Sequence, residues 1–296
     1  MDSLKSNIVI LNYNDWETTI KFVEKIREYK TLNNIIIVDN NSSDDSVNQF
    51  KESFANDSKI HICVSEKNKG YAAGNNIGIE YLKKLNSNDY LIISNPDVFI
   101  EDNTISYLME KLNTTPDIGI IAPMMITQDA DVYKISCWRA PTYKYDFLTA
   151  IPFFGKKWTS LLYYPVEYFD KEFIDVDVIP GSFFIVNKSL LIELNPIFDE
   201  ETFLYCEERI LCQKVRNLKY RLVIATTKNY QHFQNISIGK TFKKEISRQK
   251  LLYESKKIYY KKFYSNHRFR NMLLFLLLDF NIGIKTFLNF MRFKKI

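Results

Sequence analysis

Four short apolar runs punctuate the first third of the chain, and each gives way to small polar side chains. Ile8-Val9-Ile10-Leu11 runs into Asn12-Tyr13-Asn14, and Ile35 to Val38 runs into Asp39-Asn40-Asn41-Ser42-Ser43-Asp44. Ile60 to Val64 precedes the glycine-containing stretch Asn68 to Gly78, and Tyr90 to Ile93 ends in Ser94-Asn95-Pro96-Asp97. Runs of this length bounded by turn formers predict buried strands. Between the first two, Ile20, Val23 and Ile26 share one helical face, predicting a helix capped by Asn14 with Glu17 as its capping-box partner and reaching about Tyr29. A helix from about Asn103 to Leu112 and a strand from Ile118 to Ala122 continue the alternation. Strands alternating with helices predict βαβ units, and hence an α/β fold with a Rossmann-like, mostly parallel central sheet flanked by helices.

The rhythm then breaks. Residues 140 to 175 read as loop crowded with aromatics, among them Tyr143, Tyr145, Phe147, Phe153, Phe154, Trp158, Tyr164 and Tyr168. Such a segment is either a lid whose rings pack on sugars or an insertion that packs on itself. Val176 to Ile179 and Phe183 to Val186 predict two strand pieces around Pro180-Gly181-Ser182, where the backbone can approach a ligand. Phe198 to Tyr205 leads into a helix start at Cys206-Glu207-Glu208-Arg209, and Tyr220 to Ile224 predicts a last strand followed by His232.

Charge changes this picture at the C-terminal end. The 296 residues carry a net +5, yet from Lys240 onward 15 Lys and Arg face three acids, which leaves 25 basic against 32 acidic residues before that point. The expected division is a catalytic body over 1–239 and a basic helical appendage over 240–296. Its apolar positions, interleaved with lysines, suit a helix lying on an anionic membrane surface; packing on the body or on a second copy in a homodimer is the alternative. The apolar run Met272 to Leu278 meets Asp279 well short of the ~20 residues a spanning helix needs, so contact without crossing is expected. The acidic body argues against a nucleic-acid partner, whose backbone calls for a positive groove. Four cysteines without paired spacing, and a short polar lead in place of a secretory signal, point to reduced thiols and a cytoplasmic setting.

Asp97 is the first candidate for chemistry. Pro96 stiffens the tip of a buried strand, so the carboxylate is held still where α/β sheets bind ligands, which suits a hard divalent cation; an ordinary turn is the plainer reading. Glu207 and Glu208 are either catalytic carboxylates or complements to a helix dipole.

Taken in order, Val9 to Asn14, Ile37 to Ser42, Asn68 to Asn76, Ser94 to Asp97 and Phe203 to Glu208 resemble the family 2 glycosyltransferases, in particular the rhamnosyltransferase-like branch with the GT-A fold. The resemblance spans roughly residues 7 to 239. It implies a nucleotide-sugar pocket lined by Asn12, Tyr13, Asp39 and Asn41, with Gly70, Asn75 and Asn95 nearby, and Asp97 binding Mn or Mg on the donor diphosphate. His232 matches a histidine that completes that site in relatives, Glu208 stands where the family has its base, and Gly181, Ser182 and Glu207 are contacts to acceptor or donor. The implied activity is inverting transfer from a UDP- or dTDP-sugar to a saccharide hydroxyl, on a lipid-linked acceptor in bacterial surface polysaccharide or capsule synthesis, at the inner face of the cell membrane. The sequence departs from the family where Glu208 replaces an Asp, Ile210 replaces a second acid and Lys214 replaces an Arg. These departures leave open an alternative, a sugar-nucleotide-binding partner of a glycosyltransferase complex with weakened catalysis.

Overall fold

The computed structural model describes residues 4–85, 87, 89–127, 130–233 and 245–293. In chain order these form β1 (Ser6–Asn12), α1 (Trp16–Ile26), β2 (Leu32–Asp39), α2 (Ser46–Phe54), β3 (Ile60–Val64), α3 (Tyr71–Lys84), β4 (Tyr90–Ser94), β5 (Val98–Phe99), α4 (Asp102–Thr114) and β6 (Ile118–Ile126). Then come α5 (Val132–Ile135), α6 (Tyr143–Ala150), the 3-10 segments Gly155–Leu162 and Val166–Asp170, β7 (Phe173–Asp175), β8 (Phe183–Val186), α7 (Lys188–Glu193), α8 (Glu207–Asn217) and β9 (Arg221–His232). Two tail helices follow, α9 (Glu245–Phe263) and α10 (Arg268–Phe293).

The strands form one sheet in the order β3-β2-β1-β4-β8-β6-β9-β5, with β7 also on β9. Pairing is parallel through β3, β2, β1 and β4 and between β6 and β9. β8 runs antiparallel to both β4 and β6, and β5 and β7 run antiparallel to β9. The antiparallel strands are those supplied where the strand-helix rhythm of the sequence falters. Successive residues of each central strand face opposite ways. Ile8, Ile10, Ile35 and Ile37 therefore bury against α1, α2 and α4, while Val9, Ile36 and Val38 bury against α3. Burying each such side chain stabilises the fold by about 1.5–3 kcal/mol.

Helix α3 sits unusually close to the sheet. A Cβ on Gly78 would come within 2.6 Å of the Val9 side chain, and one on Gly74 within 2.4 Å of Leu11. At its start Gly70 has φ +97°, and a Cβ there would lie 2.0 Å from the Phe203 carbonyl oxygen.

Several sequence expectations need correcting. Asn14 does not cap α1, which starts at Trp16 and ends at Ile26; instead Asn14 turns left-handed (φ 53°) and its Oδ1 accepts from the Ser43 amide at 2.8 Å, joining two loops. The segment 140–175 is not loop: Thr142 accepts from the Tyr145 amide and opens α6, and two 3-10 segments follow. Many of its aromatics pack on the protein, Tyr143 against Tyr260 at 4.4 Å and Tyr164 stacked on Tyr168 at 4.9 Å. Val176, Val178 and Ile179 are buried, but residues 176–179 form only a single bridge, Trp138 to Val178; the strand is β7, just before them.

The tail packs against the body. Tyr253, Tyr259, Tyr260, Leu274 and Leu278 close over Ala150 and Ile210, while Lys240 to Lys244, the expected start of the first tail helix, lie outside the described residues. The apolar run does not stop at Asp279. α10 continues past it, and Arg268–Met291, 24 residues containing an 18-residue window of mean hydropathy 1.5, is long and apolar enough to cross a membrane by length and composition. Asp279 is tolerated because it pairs with Lys257 of α9 at 2.5 Å.

Two alanine substitutions separate close packing from helix propensity. Gly70→Ala should cost at least about 2 kcal/mol, because a left-handed backbone and a clash coincide there. Gly283→Ala, with nothing within 4 Å of its added Cβ, should instead stabilise by about 0.5–1 kcal/mol. Denaturant midpoints of the two variants check both.

Candidate active site

β1 and β2 end side by side, with Asn12 in register with Asp39. Both are buried. Asn12 Nδ2 donates to Asp39 Oδ1 at 2.9 Å and to Ser42 Oγ at 3.2 Å, and the Ser42 amide donates to Asp39 Oδ2 at 2.9 Å. Thr19 Oγ1 holds the other end of the Asn12 amide at 3.0 Å. The short polar residues after each strand thus tie two loop bases into one rigid floor. Around it lie half-buried Tyr13 and exposed Asn41, whose φ of 60° turns the chain back. Asn40 Nδ2 reaches Gly70 O at 3.2 Å and draws the start of α3 to this floor. Asn75 donates to Tyr71 O at 2.9 Å, and its buried Oδ1 has no partner within the protein.

Asp97 follows β4 and is 7% exposed. β5 pairs with the end of β9, Val98 opposite His232, so the Phe233 amide donates to Asp97 O at 2.9 Å and His232 Nε2 lies 3.2 Å from Asp97 Oδ1. His232 Nδ1 is buried without a partner. Among the described residues no three His, Cys, Asp or Glu side chains converge. A carboxylate and an imidazole side by side nevertheless fit a Mg or Mn ion, which takes few protein ligands and completes its shell with substrate phosphate and water.

The turn Pro180-Gly181-Ser182 joins this pair to the acidic residues. The Asn95 amide donates to Ser182 O at 2.8 Å, and Ser182 Oγ lies 2.7 Å from Tyr230 OH on β9. Gly181 O accepts from Tyr71 OH at 2.5 Å. Tyr71 is held well above the usual phenol range, first by burial and then by the charges of Glu207 and Glu208. Tyr230 is raised by burial and, more weakly, by Asp97. Hydrogen bonds thus tie this turn to Tyr230 on one side and Tyr71 on the other, while Asp97 acts on Tyr230, and the two glutamates act on Tyr71, through their charges. The Ser182 hydroxyl faces Tyr230 within the protein.

Glu207 and Glu208 begin α8 after two consecutive left-handed residues, Tyr205 (φ 71°) and Cys206 (φ 63°). Non-glycine residues in that region cost about 1–3 kcal/mol each and persist only where their surroundings enforce them. The surroundings here come from three elements. The Tyr71 amide donates to Phe203 O at 3.0 Å, Ser255 of α9 donates to Leu204 O at 2.8 Å, and Arg209 anchors the first turn of α8 from below. Burial raises both carboxyls, and the neighbouring Glu208 charge raises Glu207 further. One oxygen of each is buried without a hydrogen-bond partner, an arrangement suited to holding or accepting a proton.

Arg209 belongs to a buried charge network that the sequence did not disclose. Its Nη1 donates to Asp146 Oδ2 at 2.8 Å, Lys256 Nζ lies 2.7 Å from Asp146 Oδ1, and Tyr260 OH donates to Asp146 Oδ2 at 2.7 Å. Burial alone would raise the Asp146 carboxyl, but the Arg209 and Lys256 charges, with hydrogen bonds from Lys256 and Tyr260, bring it down to about 2. The departures from the family pattern also find structural reasons here. Ile210 is fully buried against the tail tyrosines, and Lys214 donates to the carbonyls of Pro196 and Ile197 at 2.7 and 3.0 Å. Tyr71 sat inside a recognised motif and could have been singled out. Asp146, Ser255 and Lys256 carry no local signal, since their meaning lies in one another.

A mixed central sheet flanked by helices, with polar loops beyond the carboxyl ends of β1 and β2, is the GT-A fold. The sequence pattern of glycosyl transferase family 2 matches residues 7–194, and the chain belongs to that family. It is 26% identical over 217 residues to the low-salt glycan biosynthesis hexosyltransferase Agl10 of Haloferax volcanii, covering 71% of this chain and 61% of that protein. It is 23% identical over 216 residues to the N-acetylglucosaminyl-diphospho-decaprenol L-rhamnosyltransferase of Mycobacterium tuberculosis, covering 70% and 68%. The chain thus spans less than two thirds of the length of the first of these. In fold it resembles GalNAc-T7, solved with UDP, GalNAc and Mn2+, at a TM-score of 0.62 and 15% identity over 80% of this chain and 45% of that one.

The Asp146 network makes a signed prediction. Asp146→Asn leaves Arg209 and Lys256 uncompensated and should cost about 3–5 kcal/mol at neutral pH. Because the folded carboxyl titrates near 2, below its unfolded value of about 3.9, its contribution is complete above the unfolded value and lost as pH falls through the folded one. Denaturation curves of the parent and the variant should therefore converge in acid.

Proposed function

We propose that this chain transfers a sugar, with inversion, from a UDP- or dTDP-sugar to a hydroxyl of a saccharide acceptor. The observation that carries the reading is the Asp97–His232 pair, 3.2 Å apart, beside a Pro180–Ser182 turn hydrogen-bonded to Tyr230 and Tyr71, with the charges of Glu207 and Glu208 acting on Tyr71. The nucleoside rests on the Asn12–Asp39 floor, ringed by Tyr13, Asn41, Gly70 and Asn75, and the diphosphate points to Asp97 and Asn95. A Mn or Mg ion held by Asp97 and His232 would supply charge stabilisation to the departing diphosphate. Glu208 accepts the proton of the acceptor hydroxyl as its oxygen bonds to the anomeric carbon and the bond to the diphosphate breaks. A single displacement of this kind inverts the anomeric centre. Glu207, Gly181 and Ser182 shape the acceptor side, Ser182 through its hold on Tyr230.

The acceptor is a lipid-linked saccharide of a bacterial surface polysaccharide or capsule, met at the cytoplasmic face of the membrane, where the basic tail of residues 240–296 holds the catalytic body of 1–239. The relatives named for decaprenol-linked and low-salt glycan chemistry support this class of acceptor. The alternative, a sugar-nucleotide-binding partner without turnover, rested on Ile210 and Glu208. The burial of Ile210 under the tail gives the first of these a packing role, which supports the enzyme reading.

Glu208→Gln should lower kcat by ~10²–10⁴ while leaving nucleotide binding intact; full turnover by this variant would overturn the assignment. Because burial raises the Glu208 carboxyl and only its ionised form accepts a proton, kcat should climb with pH through a value above the ordinary glutamate range. A thermal-shift screen of UDP- and dTDP-sugars with Mn should find a donor worth ~2.7 kcal/mol at a hundred times its Kd. The metal-dependent part of that shift should vanish in Asp97→Asn.

A further inference from the structure

The tail helix α10 presents two unlike sides. Leu274, Leu278 and Asn281 are buried, and Asn281 Nδ2 donates to Ala150 O at 2.6 Å. At 3.6 residues per turn the opposite side carries Phe269, Leu276, Phe280 and Phe287, which are 68%, 60%, 62% and 62% exposed. This is a continuous apolar stripe turned away from the protein. Beside the same helix, the chain leaving Ala150 exposes a second apolar group, Phe153 (76%), Phe154 (56%), Trp158 (39%) and Leu161 (45%). Lys156 and Lys157 stand among these rings, and Lys156 is near enough to Lys285 of α10 to act on its charge.

We propose that the outer stripe of α10 and the aromatic segment 153–161 form one docking surface for an anionic lipid bilayer, with α10 lying in the plane of the interface rather than crossing it. This deepens the membrane-side role given to the tail above and rests on it. Three observations favour lipid over a second copy of the chain. The rim is cationic, with Lys156, Lys157, Arg268 and Arg270 all exposed, so two copies meeting here would oppose like charges, whereas phosphate headgroups would neutralise them. A groove of about 460 Å³ between α9 and α10 places Lys261 and Arg268 beside Met272, Phe275 and Leu276, with Asp279, whose charge Lys257 offsets, also on its wall; two cations against one paired acid above apolar side chains suit a phosphate over acyl chains. Exposed Phe and Trp rings are the side chains that settle at the headgroup boundary.

The in-plane orientation follows from the buried side. Asn271 and Asn281 are 7% and 2% exposed and bonded to the protein, and at the flank Asp279, 62% exposed, pairs with Lys257. Carrying α10 across a bilayer would strip all three of these partners and place the polar groups in hydrocarbon.

The test uses the full chain and vesicles of phosphatidylcholine with or without phosphatidylglycerol. Sedimentation with the anionic vesicles should weaken in high salt, and carbonate should extract the bound chain. Leu276→Asp with Phe287→Asp, and separately Phe153→Asp with Phe154→Asp, should each reduce binding by about tenfold or more, with circular dichroism and melting temperature unchanged. Brominated lipid should quench tryptophan emission in the parent and far less in Trp158→Phe. Absence of vesicle binding by the parent overturns the proposal, as does resistance to carbonate, which would mean a spanning helix. A salt-stable dimer by light scattering that Leu276→Asp with Phe287→Asp dissolves would assign the stripe to a second copy instead. Vesicle binding is read without donor or metal, so its failure leaves the proposed reaction standing, and a failed donor screen leaves the surface standing.

Discussion

Two left-handed residues in succession, Tyr205 and Cys206, govern this molecule. They turn the chain sharply where α8 begins, with Glu207 and Glu208 in its first turn, and left to itself that backbone would relax. It is held because Gly70 has no Cβ and lets Phe203 lie against the start of α3, because Ser255 ties down Leu204, and because Arg209 is locked to Asp146. The start of α3, the acidic turn and the tail are thus one mechanical unit. The glycine matters for a distance, not for flexibility, since its site is tightly packed.

Electrostatics divides along the same lines. The buried carboxylates are treated in opposite ways by their neighbours. Asp146 meets two cations and two further hydrogen-bond contributions and is pulled far below the usual range, whereas Glu207 and Glu208 meet little but each other and are pushed up. One carboxylate holds structure and the other two are left ready for proton chemistry. The basic count of the tail also overstates its surface charge, since Lys256 lies under α8 paired with Asp146 and Lys262 pairs with Asp199 and Glu201.

What could be read from the sequence was what local pattern encodes. The strands Ile60–Val64 and Phe183–Val186 coincide with their apolar runs, and the residues after β1, β2 and β4 lie at the sheet edge because short polar side chains there have few other uses. β9 was anticipated only as far as Ile224 and in fact runs on to His232. Its register against β6 shifts where Ala225 pairs with Pro123 and Asn229 with Met124, so Thr226 to Lys228 bulge out and break the apolar alternation that marks a strand. Val176 to Ile179 failed the other way, apolar because they are buried rather than because they join a ladder. The Asp146 network was invisible because a buried ion pair between distant segments leaves no periodic trace in either.

The Asp146–Lys256 pair also bears on how such proteins can diversify. A tail that supplied only an address could be exchanged freely among relatives, like a label. Here the appended helices lend a cation to the foundation of the acidic turn and a hydroxyl to its strained carbonyl. Exchanging the tail would remove that cation and that hydroxyl at once, so the turn before α8 keeps its present shape only while the aspartate on α6 and the serine and lysine on α9 are kept together.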